Sequence, residues 1–456
     1  MGAFPPAQSE ETVAFLETRR QQGFNVIQAV ALAEFNGIRQ PNRYGDIPLV
    51  NEDPNQLAIT PGSSPANAAE YDYWDHVDFV IQVAAEKGMY IGLLPTWGDK
   101  LTRNWGDGPV IFNVTNAKNY GKTLGQRYAK QWNIIWILGG DRPAVYKSRE
   151  KESNQQIDDR PIWRAMAEGI TEGMGKKPFM TYHPPGGANS TSQYIHEEPW
   201  LDMNAMQSGH GSRQVKVWDW VARDLALQPQ KPTLDMEPCY EDHPVNPWDG
   251  KWTRQRGYFN AYDVRARVYR SVFAGACGVT YGHHQIWQFL NTELNPAINI
   301  GDTLIGWQRA ATAEAATQMQ HLKNLLLSRP YFSRIPDQSI IASVEGTDWT
   351  DYVVATRDEA GKYALVYLPK NQYVRVDLSK IMGKYRLISW FNPRTGVYTP
   401  VSVTKADGIQ TFTPSRRARL GTGHRWKRQE RDEKAKVATS PKTSMLLRNS
   451  PIMPVN

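Results

Sequence analysis

Along residues 9–330 the chain alternates between two textures. Amphipathic stretches with helical spacing lead, through a glycine or a short polar link, into brief runs that are almost wholly apolar. Residues 9–22 (SEETVAFLETRRQQ) predict a helix, with Ser9 as N-cap, Thr12, Val13 and Leu16 beyond it, and Gly23 as its stop. Phe24-Asn25-Val26-Ile27-Gln28-Ala29-Val30 then predicts a buried strand. The alternation continues with helix 70–87 and strand 89–94, helix 115–131 and strand 133–138, and helix 161–173 and strand 178–183. A weaker strand, 203–207, precedes helix 212–227 and strand 232–237, then helix 262–276 and strand 278–283, and a long helix over 304–327. Apolar strands separated by helices make a parallel sheet covered by helices. The pattern is α/β and begins with a helix. A (β/α)8 TIM barrel needs a strand ahead of that helix, which residues 1–8 do not supply. The expectation is a barrel lacking its first strand, with an open sheet as the alternative.

After Pro330 the pattern changes. Residues 338–345, 351–356, 363–368, 372–377, 385–391 and 397–403 alternate apolar and polar positions. Turn residues separate them, as in Asp358-Glu359-Ala360-Gly361 and Asn392-Pro393-Arg394-Thr395-Gly396. This predicts an antiparallel β-sandwich over 331–414, following a barrel over 1–330. From Ser415 the alternation dissolves, no closing apolar strand is visible in 416–456, and 415–456 is expected to be a disordered basic tail.

Charge refines this division. Residues 415–456 hold 11 of the chain's 53 Lys+Arg and 3 of its 46 Asp+Glu, which leaves 42 against 43 in residues 1–414. The basicity belongs to the tail, so no nucleic-acid-binding body is predicted. No apolar run approaches the ~20 residues that span a membrane. The opening Met1-Gly2-Ala3-Phe4-Pro5-Pro6 has no signal-peptide pattern, so the chain itself does not indicate a localisation. Cys239 and Cys277 are the only cysteines; they exclude a disulfide framework but not one bridge. No zinc spacing occurs, and neither a metal nor a cofactor is predicted. The 16 Trp and 21 Tyr suit cores but also give flat faces for sugar rings.

Two of the apolar runs end in a carboxylate: Asn133-Ile134-Ile135-Trp136-Ile137-Leu138-Gly139-Gly140-Asp141 and Pro232-Thr233-Leu234-Asp235-Met236-Glu237. With an absent first strand counted, Asp141 ends barrel strand four and Glu237 strand seven, across the same mouth. Such a pair, about 5–5.5 Å apart, can cleave a glycosidic bond with retention, one group as acid/base and one as nucleophile. Gly139-Gly140 allows a sharp turn before Asp141. Arg142 beside it would lower its pKa and oppose an acid role unless it points elsewhere. Strand-end carboxylates also cap loops, so that reading stays open. Trp97, Tyr182, His183, Gln207, His210, Tyr281, His283, His284 and Trp287 gather at the same strand ends, the mix of polar groups and rings that a sugar site uses. Arg142, Tyr240 and Glu241 join them as candidate substrate contacts. Glu241 and Asp242 compete with Glu237 as nucleophile, and Asp235 shares its face. His183 and His210 also permit a metal-dependent amidohydrolase barrel, although strand eight has no Asp. A non-catalytic carbohydrate-binding barrel is the other alternative.

Five stretches together resemble the apiosidase-like glycoside hydrolases (glycoside hydrolase family 140). They are Gly23-Phe24-Asn25-Val26-Ile27-Gln28, Asn42-Arg43-Tyr44-Gly45, Trp136-Ile137-Leu138-Gly139-Gly140-Asp141-Arg142-Pro143, Glu237-Pro238-Cys239-Tyr240-Glu241 and Tyr281-Gly282-His283-His284-Gln285-Ile286-Trp287. The likeness covers about residues 10–330, and 331–414 resembles the collagen-binding-type β-sandwich that follows this barrel in the family. It implies a retaining glycosidase with Asp141 as acid/base and Glu237 as nucleophile. The implied substrate is an oligo- or polysaccharide of the plant cell wall, with apiose or another pentose as the released sugar. It also implies a secreted or periplasmic enzyme. The chain departs from the family at its start, after the expected first strand, and at Gly421-Thr422-Gly423-His424-Arg425-Trp426-Lys427, where a closing strand is expected. Both departures look like errors of the reading frame, and such a chain is expected to fold poorly or to be inactive.

Overall fold

The computed structural model describes residues 9–102, 108–148, 155–187, 190–290, 305–414 except 345, 347 and 406, and the backbone of Thr443–Asn449. The expected gap at residues 1–8 and most of the expected tail lie outside these. Helix α1 (Ser9–Gln21) leads to β1 (Val26–Val30), α2 (Tyr73–Glu86) to β2 (Tyr90–Leu94), and α3 (Val114–Arg127) to β3 (Ile134–Gly139). A hairpin absent from the sequence reading, β4 (Val145–Lys147) with β5 (Gln156–Asp158), precedes α4 (Arg160–Met174) and β6 (Met180–His183). Then come β7 (Asn204–Met206), α5 (Val217–Leu225), β8 (Thr233–Asp235), α6 (Ala261–Phe273), α7 (His284–Trp287), α8 (Trp307–Ala310) and α9 (Glu314–Leu327).

Strands β1, β2, β3 and β6 form one parallel sheet in that order, with Val26 opposite Tyr90, Ile91 opposite Ile134 and Trp136 opposite Met180. A parallel bridge from Thr181 to Met203 carries the ladder to β7, which pairs with β8. The Cys277 amide bonds Thr233 O at 2.9 Å and brings 278–283 alongside β8. These segments stand in the order of barrel strands two to eight, so the α/β barrel architecture holds. Segment 278–283 was expected as a regular strand but makes only isolated bonds, such as the parallel bridge from Glu241 to His283. Among the described residues, β1 has a strand neighbour on one side only. The expected long helix 304–327 is two helices: α9 restarts at Glu314, where the Glu241 carboxylate accepts the Ala315 amide at 3.1 Å and caps the new first turn.

Apolar residues on both strand faces explain why the runs carry no alternation: Ile91, Leu93, Leu94, Trp136 and Leu138 are all buried. Helices start where side chains satisfy their free amides, as Asp72 does for α2 and Asn113 for α3, each in a reciprocal capping box. Helices α3 and α4 meet almost backbone to backbone. A Cβ on Gly169 would lie 2.1 Å from Lys118 O, and one on Gly121 2.4 Å from Met166 O.

By internal packing the chain divides into two compact units. The first comprises 1–213, 223–264 and 277–317; the second comprises 214–222, 265–276 and 318–456. The expected division lay at 330. Within the second unit, Trp218 stacks on Tyr352 (ring centroids 3.9 Å apart, planes within 8°), and Tyr269 stacks on Tyr367 at 4.7 Å. These stacks draw pieces of α5 and α6 into the unit that holds the sandwich strands.

Those strands are β9 (Arg334–Pro336), β10 (Ile341–Val344), β11 (Val354–Asp358), β12 (Tyr363–Leu368), β13 (Val374–Asp377), β14 (Arg386–Phe391), β15 (Tyr398–Thr404), β16 (Ile409–Phe412) and β17 (Thr443–Asn449). They make a six-stranded antiparallel sheet, β15-β14-β17-β12-β11-β9, and a three-stranded sheet, β10-β13-β16, around Val366, Val376, Ile388 and Trp390. Strand β17 corrects the expectation of an unstructured tail without a closing strand. Its backbone pairs on both sides, with Ala364 opposite Leu447 and Ile388 opposite Leu447 from the other edge. Met445-Leu446-Leu447 is too short an apolar run to stand out in a basic stretch.

The contact between α3 and α4 predicts that Gly169→Ala destabilises the chain by about 1–3 kcal/mol, because rigid backbone must shift to admit the methyl group. Urea unfolding followed by tryptophan fluorescence measures this.

Candidate active site

The β3 strand turns at once into an unusual backbone path. Gly139 and Gly140 have φ values of 83° and 125°, and Asp141 has φ 51°. A Cβ at Gly140 would lie 2.8 Å from the Gly98 amide and 2.9 Å from the Trp97 ring, so only glycine lets the two loops meet there. The left-handed conformation of Asp141, which costs about 1 kcal/mol or more, is held by hydrogen bonds. Its amide donates to His183 Nδ1 at 3.2 Å, and its Oδ1 accepts from the Gly186 amide at 3.2 Å. Arg142 donates both to Asp141 O, at 2.9 Å, and to Asp141 Oδ2, at 3.2 Å.

Glu237 follows β8 at the same end of the strands. His210 Nε2 lies 3.0 Å from Oε1 and His183 Nε2 3.1 Å from Oε2, the latter short but off the line of the ring N–H. The backbone assigns the tautomers. His183 Nδ1 accepts the Asp141 amide, and His210 Nδ1 accepts the Tyr240 amide at 3.2 Å, so each ring carries its proton on Nε2, toward Glu237. One imidazole therefore joins the Asp141 backbone to the Glu237 carboxylate.

The two carboxyls are driven apart in acidity. Burial, reinforced by the charge of Glu237, pushes Asp141 up to about 6, against the opposing pull of Arg142 and His183. Burial acts on Glu237 in the same direction but is outweighed by His183 and His210, which hold it well below the usual carboxylate range. Tyr240 stays a phenol, because burial and the neighbouring Glu237 both raise it. The site thus offers one carboxyl that keeps a proton in mildly acidic solution and one that stays ionised. That is the arrangement acid–nucleophile chemistry needs.

The structure brings only some of the other candidates to these groups. Trp97 packs on His183 at 5.5 Å, and its indole Nε1 is buried without a hydrogen-bond partner among the described residues. Gln207 Oε1 is in the same condition, beside Gly186. His284 lies edge-on to His243 at 4.7 Å, and Trp287 donates to its Nδ1 at 3.4 Å. Four candidates are committed elsewhere. Glu241 caps α9 and accepts the Tyr281 hydroxyl at 2.8 Å, so both of its oxygens are engaged within the protein. His283 is fully buried and accepts the Gln285 amide at the start of α7. Tyr182 bonds Arg142 O at 2.9 Å and supports the Asp141 turn from below. Asp235 accepts from the Ser208 amide and hydroxyl, at 3.0 and 2.6 Å, which occupies it as a brace. Asp242 is half exposed, with Oδ2 3.4 Å from His283 Nε2.

Sequence reasoning missed three residues. His243 stacks on His210 (4.1 Å, 20°), and the exposed ring of Trp248 lies 5.5 Å from His243; both sit in an irregular loop without a periodic signal. Glu34 lies past β1, with Oε2 4.0 Å from Arg142. Its signal was present: Ala29-Val30-Ala31-Leu32-Ala33-Glu34 is a third apolar run ending in a carboxylate.

The model of the apiosidase-like catalytic domain matches residues 3–333, and that of the "Putative collagen-binding domain of a collagenase" matches residues 335–426. A solved structure described as a glycoside hydrolase is 29% identical, with TM-score 0.78, covering 98% of this chain and 91% of its own. A structure described as a glycoside hydrolase of family 5 from Bacteroides vulgatus is 28% identical, with TM-score 0.79, covering 98% of this chain and 88% of its own. No curated protein matches the chain. With most of its length matched and a pair of opposed carboxyls at the mouth of its barrel, this chain belongs to the apiosidase-like catalytic domain family and is a glycoside hydrolase.

Proposed function

We propose that the enzyme cleaves a pentosyl linkage of plant cell-wall polysaccharide with retention of configuration, Asp141 serving as acid/base and Glu237 as nucleophile. The observation that carries this reading is the single His183 ring between the Asp141 backbone and the Glu237 carboxylate, with the Glu237 charge felt at Asp141. A retaining pair stands about 5–5.5 Å apart, which leaves no room for the water that an inverting enzyme places between its two acids. In the first step Asp141 gives its proton to the leaving oxygen while Glu237 Oε attacks the anomeric carbon. In the second, Asp141 takes a proton from water, and that water displaces the Glu237 ester. The proton balance closes within the pair. The unpartnered Trp97 Nε1 and Gln207 Oε1 supply a donor and an acceptor for ring hydroxyls. Apiose is the preferred sugar on the strength of the family match. A cell-wall substrate implies a secreted or periplasmic enzyme; among the described residues no helix is long and apolar enough to cross a membrane. The metal-hydrolase alternative is disfavoured because Nε2 of His183 and of His210 is occupied by an oxygen of Glu237, which the two rings hold ionised.

Glu237→Gln should lower kcat by about 10⁴-fold or more on every glycoside tested, since no covalent intermediate can form. Asp141→Ala should lower turnover of unactivated oligosaccharides by about 10²–10⁴-fold but spare substrates with good leaving groups, with azide restoring rate by trapping the glycosyl-enzyme. Release of apiose from pectic oligosaccharides, followed by proton NMR of the first-formed anomer, reads both rate and stereochemistry; an inverted product would sink the retaining mechanism.

The pH profile follows from the shifts. Asp141 works protonated and is raised to about 6, so kcat/KM should fall as pH rises through that value. Glu237 works ionised and is held well below its usual range, so the acidic limb should lie below that of an ordinary glutamate. Asp141→Asn should remove the basic limb in a pH–rate measurement.

A further inference from the structure

We propose that Glu34 binds the hydroxyls of the sugar ring seated between Asp141 and Glu237, and so helps determine which glycone the enzyme accepts. The proposal rests on the reading of those two residues as the catalytic pair. Glu34 follows the extended end of β1, whose ladder to the neighbouring strand continues through the Ala31 amide to Leu94 O at 2.8 Å. It therefore emerges at the mouth where β3 and β8 deliver the two acids. Its carboxyl is about three-quarters buried, with Oε2 4.0 Å from the Arg142 guanidinium that also holds Asp141. Among the described residues it makes no hydrogen bond. Every other buried acid around the site is braced: Asp235 by Ser208, Glu241 by Ala315 and Tyr281, Asp99 by Lys100.

The backbone beside Glu34 is immobilised. Phe35 has φ 54°; its amide donates to Asp99 Oδ2 at 2.8 Å, and its carbonyl accepts from Lys100 Nζ at 2.9 Å. Asp99 and Lys100 are themselves buried and paired at 2.9 Å. Burying such a pair is expensive, and here it fixes the residue next to an unbraced carboxyl. A rigid support under a side chain that makes no internal hydrogen bond among the described residues is how a recognition group is presented.

Among the described residues, the charged groups facing Glu34 are Arg142, Asp141, Asp99 and Lys100. Burial raises Glu34 to about 8, with Arg142 opposing and Asp141 and Asp99 adding to the rise. Below that pH it is a carboxylic acid that can donate to one hydroxyl and accept from its neighbour. A sugar that covers its remaining exposed edge favours the uncharged form, so affinity should fall as pH rises through about 8.

The test is calorimetric binding of free D-apiose, L-arabinose, D-xylose and D-galactose to the full chain and to Glu34→Ala and Glu34→Gln, with thermal melts confirming that each variant folds. Glu34→Ala should weaken the best-bound sugar by about 10- to 100-fold. Glu34→Gln should bind near the wild-type level at about pH 6 and lose the wild type's weakening above about pH 8. Unchanged affinity in Glu34→Ala, identical pH dependence in wild type and Glu34→Gln, or no binding of any sugar to the wild type would each overturn the proposal. Turnover assays on the same preparations separate the two readings. If Asp141→Asn and Glu237→Gln keep full activity while Glu34→Ala loses binding, the catalytic assignment fails and the sugar-binding role of Glu34 stands.

Discussion

Two backbone amides decide where the protons of this site lie. The Asp141 and Tyr240 N–H groups each occupy Nδ1 of a histidine and leave Nε2 to carry the hydrogen. Both rings then present N–H groups to Glu237, one near each oxygen. A carboxylate buried this deeply would otherwise take up a proton. The ionised state of one acid thus depends on main-chain geometry, and its negative charge helps keep the other acid protonated. Anything that moved the Asp141 amide would disturb both groups together. That is a physical reason for the glycine pair before it and for the tyrosine hydroxyl that supports the following residue.

The barrel was legible because strands buried on both faces leave nearly unbroken apolar runs, and β2, β3 and β6 are of that kind. The nearness of Asp141 and Glu237 was legible because residues that directly follow parallel strands gather at one end of the sheet. The same rule overreached at Glu241 and His283. Sequence shows a polar residue near a strand end but not whether a helix amide will claim it, and α9 and α7 claim these two. It fell short at Glu34, where the apolar run outlasts the regular strand and the acid lies beyond its expected end. His243 and Trp248 belong to a loop shaped by contacts such as the Asn246 amide to His210 O at 2.9 Å, which no local pattern encodes.

The division into packing units shows a different limit. The change in texture at Pro330 marks where strands replace helices, but aromatic stacking does not follow that change. Trp218 and Arg270 reach Tyr352 and Trp349, the guanidinium lying 5.3 Å from the Trp218 ring centre and 6.0 Å from that of Trp349. Periodicity reports secondary structure, whereas the partner of a large ring on a helix is a tertiary fact.

The last described strand in the sequence, β17, stands in the interior of its sheet, between β14 and β12. Until it arrives, each of those strands has one unpaired inner edge. During synthesis the preceding strands emerge first, so the six-stranded sheet cannot close while the ribosome is still making them. Its assembly is a late, long-range event. A chain interrupted shortly before Thr443 would present two unsatisfied strand edges, to which a peptide of complementary register, or another nascent chain, could add.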